Sequence, residues 1–273
     1  MPRARSLFVA LALAAPASAP LAAQPPAPAP AVPPWQVDWG SHFCSLIRQP
    51  AAGRPYAAAL LTVPGSNSSS LLLVPEGNAT LPRGIDTAVL MPGGRAFPLR
   101  AFQQRRGTAQ VLQITGFPYD LRGLLEGAEA LELRAGTEVR LRIPVDQSRA
   151  ALAAHRECTA GIARQWGIDE AALAALRERP FTTNGFGFRS SDYPQVSLSD
   201  RNQGRVILRV MVAADGRAAE CSVVATSGDP QIDDRSCRVV RARARFTPGR
   251  DASGRPVAIA SVFTVTWLVP GAR

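Results

Sequence analysis

Between Gly204 and Trp267 the residue pattern leaves the chain few ways to fold. Gly204 to Val212 (GRVILRVMV) alternates, placing Val206, Leu208, Val210 and Val212 on one side of a strand. Asp215-Gly216 is a tight-turn signal and leads into a second run, Cys221 to Ala225, in which Cys221, Val223 and Ala225 share a face. Asp229 is placed to cap a helix with Pro230 at its first position. That helix carries a stripe of Ile232, Ser236, Val239 and Val240, with Cys237 beside it, and Arg235, Arg238, Arg241 and Arg245 fall on its solvent side. Phe246-Thr247-Pro248 and Gly254-Arg255-Pro256 follow. The last run, Val257 to Trp267, alternates Val257, Ile259, Ser261, Phe263, Val265 and Trp267 against a face containing Thr264 and Thr266. A strand, strand, helix, strand order with the helix on one face of a small antiparallel sheet is an α+β arrangement.

The ordered set Tyr193-Pro194, Gly204, Asp215-Gly216, Ser227-Gly228 with Asp233, Phe246-x-Pro248 and Gly254-x-Pro256 resembles the TonB C-terminal domain family, over residues 192–271. The resemblance implies a non-enzymatic β-β-α-β module in the periplasm, without cofactor or metal. It further implies that the module meets a TonB-dependent outer-membrane receptor and accepts a short receptor peptide as an added strand. Main-chain pairing would supply affinity and alternate side chains selectivity. The receiving edge would be the last strand, with Val262, Thr264 and Thr266 as partner contacts.

At the other end, Met1 to Arg5 is basic, Leu7 to Ala15 is apolar, and small residues follow. This reads as an export signal over 1–23, cleaved after Ala23, because the apolar stretch falls short of the roughly 20 residues of a membrane helix. The expected location is the periplasm. If the segment is retained it is an inner-membrane anchor, and the resemblance then implies an inner-membrane motor complex as a further partner. Gln24 to Pro34 (QPPAPAPAVPP) reads as an extended Pro-Ala spacer.

Residues 35–179 read as a β-rich globular domain ending in helices. Tyr56–Val63, Leu71–Val74, Thr87–Met91, Ala109–Thr115 and Glu138–Ile143 are strand-like runs, bounded by Pro, Gly, Asn and Ser clusters such as Pro64-Gly65-Ser66-Asn67. Asp120 to Leu131 has helical spacing. Asp146 is placed to cap a longer helix to Trp166, Gly167 stops it, and Asp169 caps a short one to Arg177. Residues 180–191 read as a linker.

Four cysteines in an exported chain point to disulfides, with three connectivities open; pairing within each region, Cys44 with Cys158 and Cys221 with Cys237, is the simplest. No CxxC occurs and the histidines are His42 and His155, so zinc is not expected. The net charge of +10 comes from scattered arginines with no lysine, and no stacked-aromatic or zinc motif accompanies them, which disfavours nucleic acid. Two rival functions stand beside the receptor reading. One is a structural or regulatory envelope protein using the same fold for a different partner. The other is a dimeric aspartic-type hydrolase using Asp86 in Gly84-Ile85-Asp86-Thr87-Ala88, a chemistry that needs a second carboxylate. His155 lies near the apolar stripe of its helix and reads as packed rather than catalytic.

Overall fold

The computed structural model describes residues 34–106, 109–119 and 121–269. The expected export signal, and the Pro-Ala stretch apart from Pro34, lie outside the described residues. No helix among the described residues is long and apolar enough to cross a membrane.

The architecture is α+β. The first region runs β1 (Trp35–Trp39), β2 (Cys44–Arg48), β3 (Tyr56–Thr62), β4 (Ser68–Pro75), β5 (Thr87–Met91), β6 (Arg95–Pro98), β7 (Arg100–Arg106) and β8 (Ala109–Pro118). Then come α1 (Leu121–Leu125), β9 (Ala130–Ala135), β10 (Glu138–Pro144), α2 (Arg149–Gln165) and α3 (Glu170–Ala174). A six-stranded antiparallel sheet, ordered β1-β2-β3-β4-β8-β7, and a four-stranded one, ordered β10-β9-β5-β6, share one core. Leu46, Leu60, Leu73 and Ile114 enter it from the larger sheet, and Ala88, Leu90 and Leu133 from the smaller.

Two sequence expectations change here. The helical spacing from Asp120 to Leu131 is realised only over Leu121–Leu125. Ala130 to Ala135 instead pairs with β5 and β10, because its run ALEL is buried on both faces and a central strand satisfies its backbone at the same time. The long helix begins at Arg149 rather than after Asp146, whose carboxylate is engaged by Arg48 at 2.9 Å; Ser148 occupies the cap position. The short helix is capped as expected, with the Asp169 carboxylate accepting from the Ala172 N–H at 2.8 Å, but it ends at Ala174.

The second region runs β11 (Phe181–Thr182), α4 (Gln195–Ser199), β12 (Gly204–Val212), β13 (Ala218–Ala225), α5 (Pro230–Arg243), β14 (Phe246–Thr247), β15 (Gly249–Arg250), β16 (Pro256–Val257) and β17 (Ile259–Trp267). Its main sheet has the order β13-β12-β17, all antiparallel. Gly216, at φ +80°, closes the β12–β13 turn; a Cβ there would lie 2.3 Å from the Phe246 carbonyl oxygen, so only glycine fits. The Asp229 carboxylate accepts from the Gln231 and Ile232 N–H groups, which starts α5. The register shifts between Ile207/Ala225 and Leu208/Val223, so Ala225 turns to the face opposite Cys221 rather than sharing it.

The segment expected as a linker is packed structure. Phe181 and Thr182 pair with Thr247 and Phe246, and the Phe186 ring meets Phe263 and Phe246 edge-on. Phe188 and Tyr193 both meet the Trp267 ring edge-on, at 5.1 and 5.2 Å. Arg235 is not merely solvated either. With Arg243 it clamps the carboxylate of Asp192, which is buried just before Tyr193.

The three-stranded sheet is covered on both faces. Val206, Leu208, Val210, Phe263, Val265 and Trp267 pack on α5, through Ile232 and Val240. On the opposite face Ile207, Ala225, Ala260 and Val262 share a core with Cys44, Ile162, Trp166 and Ile168 of the first region. A disulfide lies at each face. Cys221–Cys237 ties β13 to α5, and Cys44–Cys158 ties β2, the second strand, to α2.

Candidate functional site

Among the described residues β17 is an edge strand, with β12 as its one ladder partner. In an antiparallel ladder, alternate residues direct both backbone groups away from the partner strand. The phase is fixed by Val262, whose N–H leaves the sheet and donates to the Gly65 carbonyl at 2.9 Å. Ala260, Thr264 and Thr266 share that phase. The three residues named from sequence therefore sit at one edge, but in different surroundings. Val262 is 1% exposed beneath the first region, whereas Thr264 and Thr266 are open.

Beside Thr264 and Thr266 lies a groove of about 510 Å³. One wall is the outer face of the six-stranded sheet, with Leu61, Leu72 and Gln113. The other is the three-stranded sheet, with Ile207, Arg205 and the two threonines. His42 and Phe43 line it as well. Its lining mixes aliphatic side chains with hydroxyl and amide groups, which suits an extended chain presenting both backbone and side chains.

The groove stops where the β3–β4 turn meets β17. Gly65, at φ +74°, lies flush against the strand: a Cβ on it would be 2.9 Å from Ile168 Cγ2 and 3.0 Å from Val262 Cγ2. Its carbonyl accepts from Val262 N–H and from Ser261 Oγ, each at 2.9 Å. Its own N–H donates to the Glu170 carboxylate at 3.3 Å. Burial raises the pKa of Glu170, and the Gly65 N–H and the nearby Arg179 charge offset part of that rise. Arg179 donates to the Ser66 carbonyl at 2.9 Å while stacking on Tyr119, and Asn67 donates to the Pro180 carbonyl.

Sequence reasoning read Pro64-Gly65-Ser66-Asn67 as a loop between strands and missed this contact, which links residues almost 200 positions apart. A glycine in a turn announces a positive φ but not which distant strand it touches.

The other named residues fall elsewhere. Asp86 sits at the entry to β5, where its carboxylate accepts from the Gly136 N–H and the Thr87 hydroxyl, and these bonds hold its pKa below the usual range. That is a turn-closing role, and no cluster of metal-ligating side chains occurs among the described residues. His155 is fully buried. Its Nε2 lies 3.3 Å from the Cys44 carbonyl, and burial, reinforced by the Arg122 charge, depresses its pKa to about 4. It is neutral and packed.

The residues that carry the family resemblance lock one another in place. The Tyr193 hydroxyl donates to the Asn202 carbonyl, and the Asn202 amide donates to Asp229. Asp233 accepts from the Ser227 N–H and hydroxyl. Comparison with curated proteins and with solved structures returned no match. Residues 189–268 match the family model of the Gram-negative bacterial TonB protein C-terminal, and this stretch of the chain is identified as a domain of that kind.

Proposed function

We propose that this chain is a periplasmic envelope protein whose C-terminal domain binds an extended peptide of a TonB-dependent outer-membrane receptor. The peptide adds as a strand to the free edge of β17, beside Thr264 and Thr266. The carrying observation is a TonB-type domain whose last strand is an edge strand with those two residues open to a groove. Strand addition takes its affinity from backbone groups, so the exposed threonines need only leave the edge accessible.

The reading concerns binding and involves no catalysis. An inner-membrane motor enters it only if residues 1–23 are retained, and the intact mass of the protein recovered from the envelope settles that point. The binding test is an NMR titration of the chain from Gln24 onward with synthetic plug-segment peptides from receptors of the same genome. The Thr264 and Thr266 amides should shift and gain exchange protection, and Thr264→Pro, which removes an edge donor, should weaken binding at least tenfold. A screen in which no plug peptide perturbs these amides would remove the receptor reading. It would leave an envelope protein with a different partner.

A further inference from the structure

We infer that the Gly65 turn is a built-in stop, through which the first region limits strand addition to the Thr264–Thr266 half of β17 and so fixes the register of the bound peptide. The inference rests on the strand-addition reading above and adds its regulation.

An incoming strand needs successive outward-facing backbone groups, here those of Ala260, Val262, Thr264 and Thr266. Gly65 already supplies the carbonyl that such a strand would offer to Val262, and the Ser261 hydroxyl holds the same carbonyl. The turn thus behaves as one residue of an internal ligand. It is anchored from outside the strand by Glu170, Arg179 and the Pro180 carbonyl, so displacing it breaks contacts to two other segments, α3 and Arg179-Pro180. Past the turn, the edge opens at once into the groove. A peptide entering there finds Thr264 and Thr266 along its backbone, with Leu61 and Leu72 of the larger sheet across from it. Its end nearest Val262 meets the turn, so the peptide can neither slide by two residues toward Ala260 nor lengthen in that direction. The first region would then act as a selector for short segments with an apolar side chain facing Leu61 and Leu72.

The test compares the wild-type chain with Ser261→Ala and with Ser261→Ala/Arg179→Ala, which loosen the turn at residues that do not line the groove. The probes are the plug peptides above, in five-residue and nine-residue forms. Amide exchange at Val262 and the melting temperature of each variant show that the fold persists and the turn has loosened. In the wild type, both peptide lengths should bind alike and protect the Thr264 and Thr266 amides while leaving Ala260 unchanged. In the double variant, the nine-residue peptide should gain about tenfold in affinity, the equivalent of one or two added backbone hydrogen bonds, and protection should spread to Ala260.

Peptide binding to the wild type that already protects Ala260, or equal affinities for both lengths in the loosened chain, would overturn the stop while leaving the receptor reading intact. Binding only after loosening would also overturn the stop, because the turn would then close the whole edge rather than half of it. Absence of binding in every variant removes the receptor reading, and the stop with it.

Discussion

The two faces of the three-stranded sheet are closed by different means. The face on α5 is closed locally, by a helix that begins five residues after β13 ends and by a disulfide spanning 16 residues. The opposite face is closed from the distant first region, by α2 and the residues after it, near a disulfide spanning 114 residues. The local face holds the residues that make the domain recognisable, including Tyr193, Phe246 and Trp267. The distant face holds Ile207, Ala260 and Val262, whose burial depends on residues outside the matched stretch. This domain therefore ends, energetically, inside a larger body, and its edge strand β17 is bordered by the same region that covers its back.

The two disulfides give the widest separation between the faces. In the loop-entropy model, removing Cys44–Cys158 costs about 5 kcal/mol and removing Cys221–Cys237 about 3 kcal/mol. Urea unfolding of Cys44→Ala/Cys158→Ala and Cys221→Ala/Cys237→Ala should reproduce that order. Because the distant face is shared, both pairs should lower one common transition. If Cys44→Ala/Cys158→Ala leaves a separate C-terminal transition unmoved, the distant face contributes nothing to the domain and the comparison breaks.

The same division explains what could be read from the sequence. β12 matches its alternating run from Gly204 to Val212, and Asp229-Pro230 opens α5, because these signals act over a few residues and the local face is built from them. The cysteine pairing was legible because an even count with two cysteines in each region makes pairing within each region the simplest choice. The edge position of β17 followed from the family resemblance. The distant face was not legible. Arg205, Arg209, Thr264 and Thr266 interrupt the apolar residues on that side of β12 and β17, so the pattern reads as half-polar and solvent-facing. In the structure, Arg209 reaches out toward Glu220 at 3.6 Å while Ile207 and Val262 are covered. β9 was missed because a strand buried on both sides loses the period-two signature.

A second probe uses protons. His155 lies behind the distant face, bonded to the Cys44 carbonyl, with a folded pKa of about 4 against an ordinary value of 6.5. A depressed histidine favours the neutral form in the folded chain. The unfolded chain therefore binds the proton first as pH falls. Stability from this group is fully present above pH 6.5 and is lost between there and pH 4, by about 3 kcal/mol. His155→Gln keeps an amide donor for Cys44 without titrating in that range, and should flatten that limb of the stability profile. A profile that stays steep in the variant would assign the proton to another group.

Asp192 is the corresponding probe of the local side, and it should act in a different pH window. Burial pushes its carboxyl pKa up, but the Arg189 N–H and the Arg243 and Arg235 guanidiniums outweigh burial and hold the pKa below the ordinary value of 3.8. A depressed carboxylate contributes stability that is present above the unfolded pKa and is lost as pH falls through the folded one, so this loss begins only below about pH 4. Asp192→Asn keeps the shape, removes the charge and should cost about 2 kcal/mol at neutral pH, as expected for charge-assisted hydrogen bonds. It should also shrink the lowest acid limb, to which Asp86, Asp229 and Asp251 contribute as well, without altering the one between pH 6.5 and 4. The indole N–H signals of Trp267, on the local face, and Trp166, on the distant one, report the two sides separately. Asp192→Asn should disturb Trp267, since Tyr193 follows Asp192 directly and packs on that ring. A variant that moved Trp166 as strongly as Trp267 would mean that the two faces respond as one unit, and that their distinct closures do not make them separately tunable.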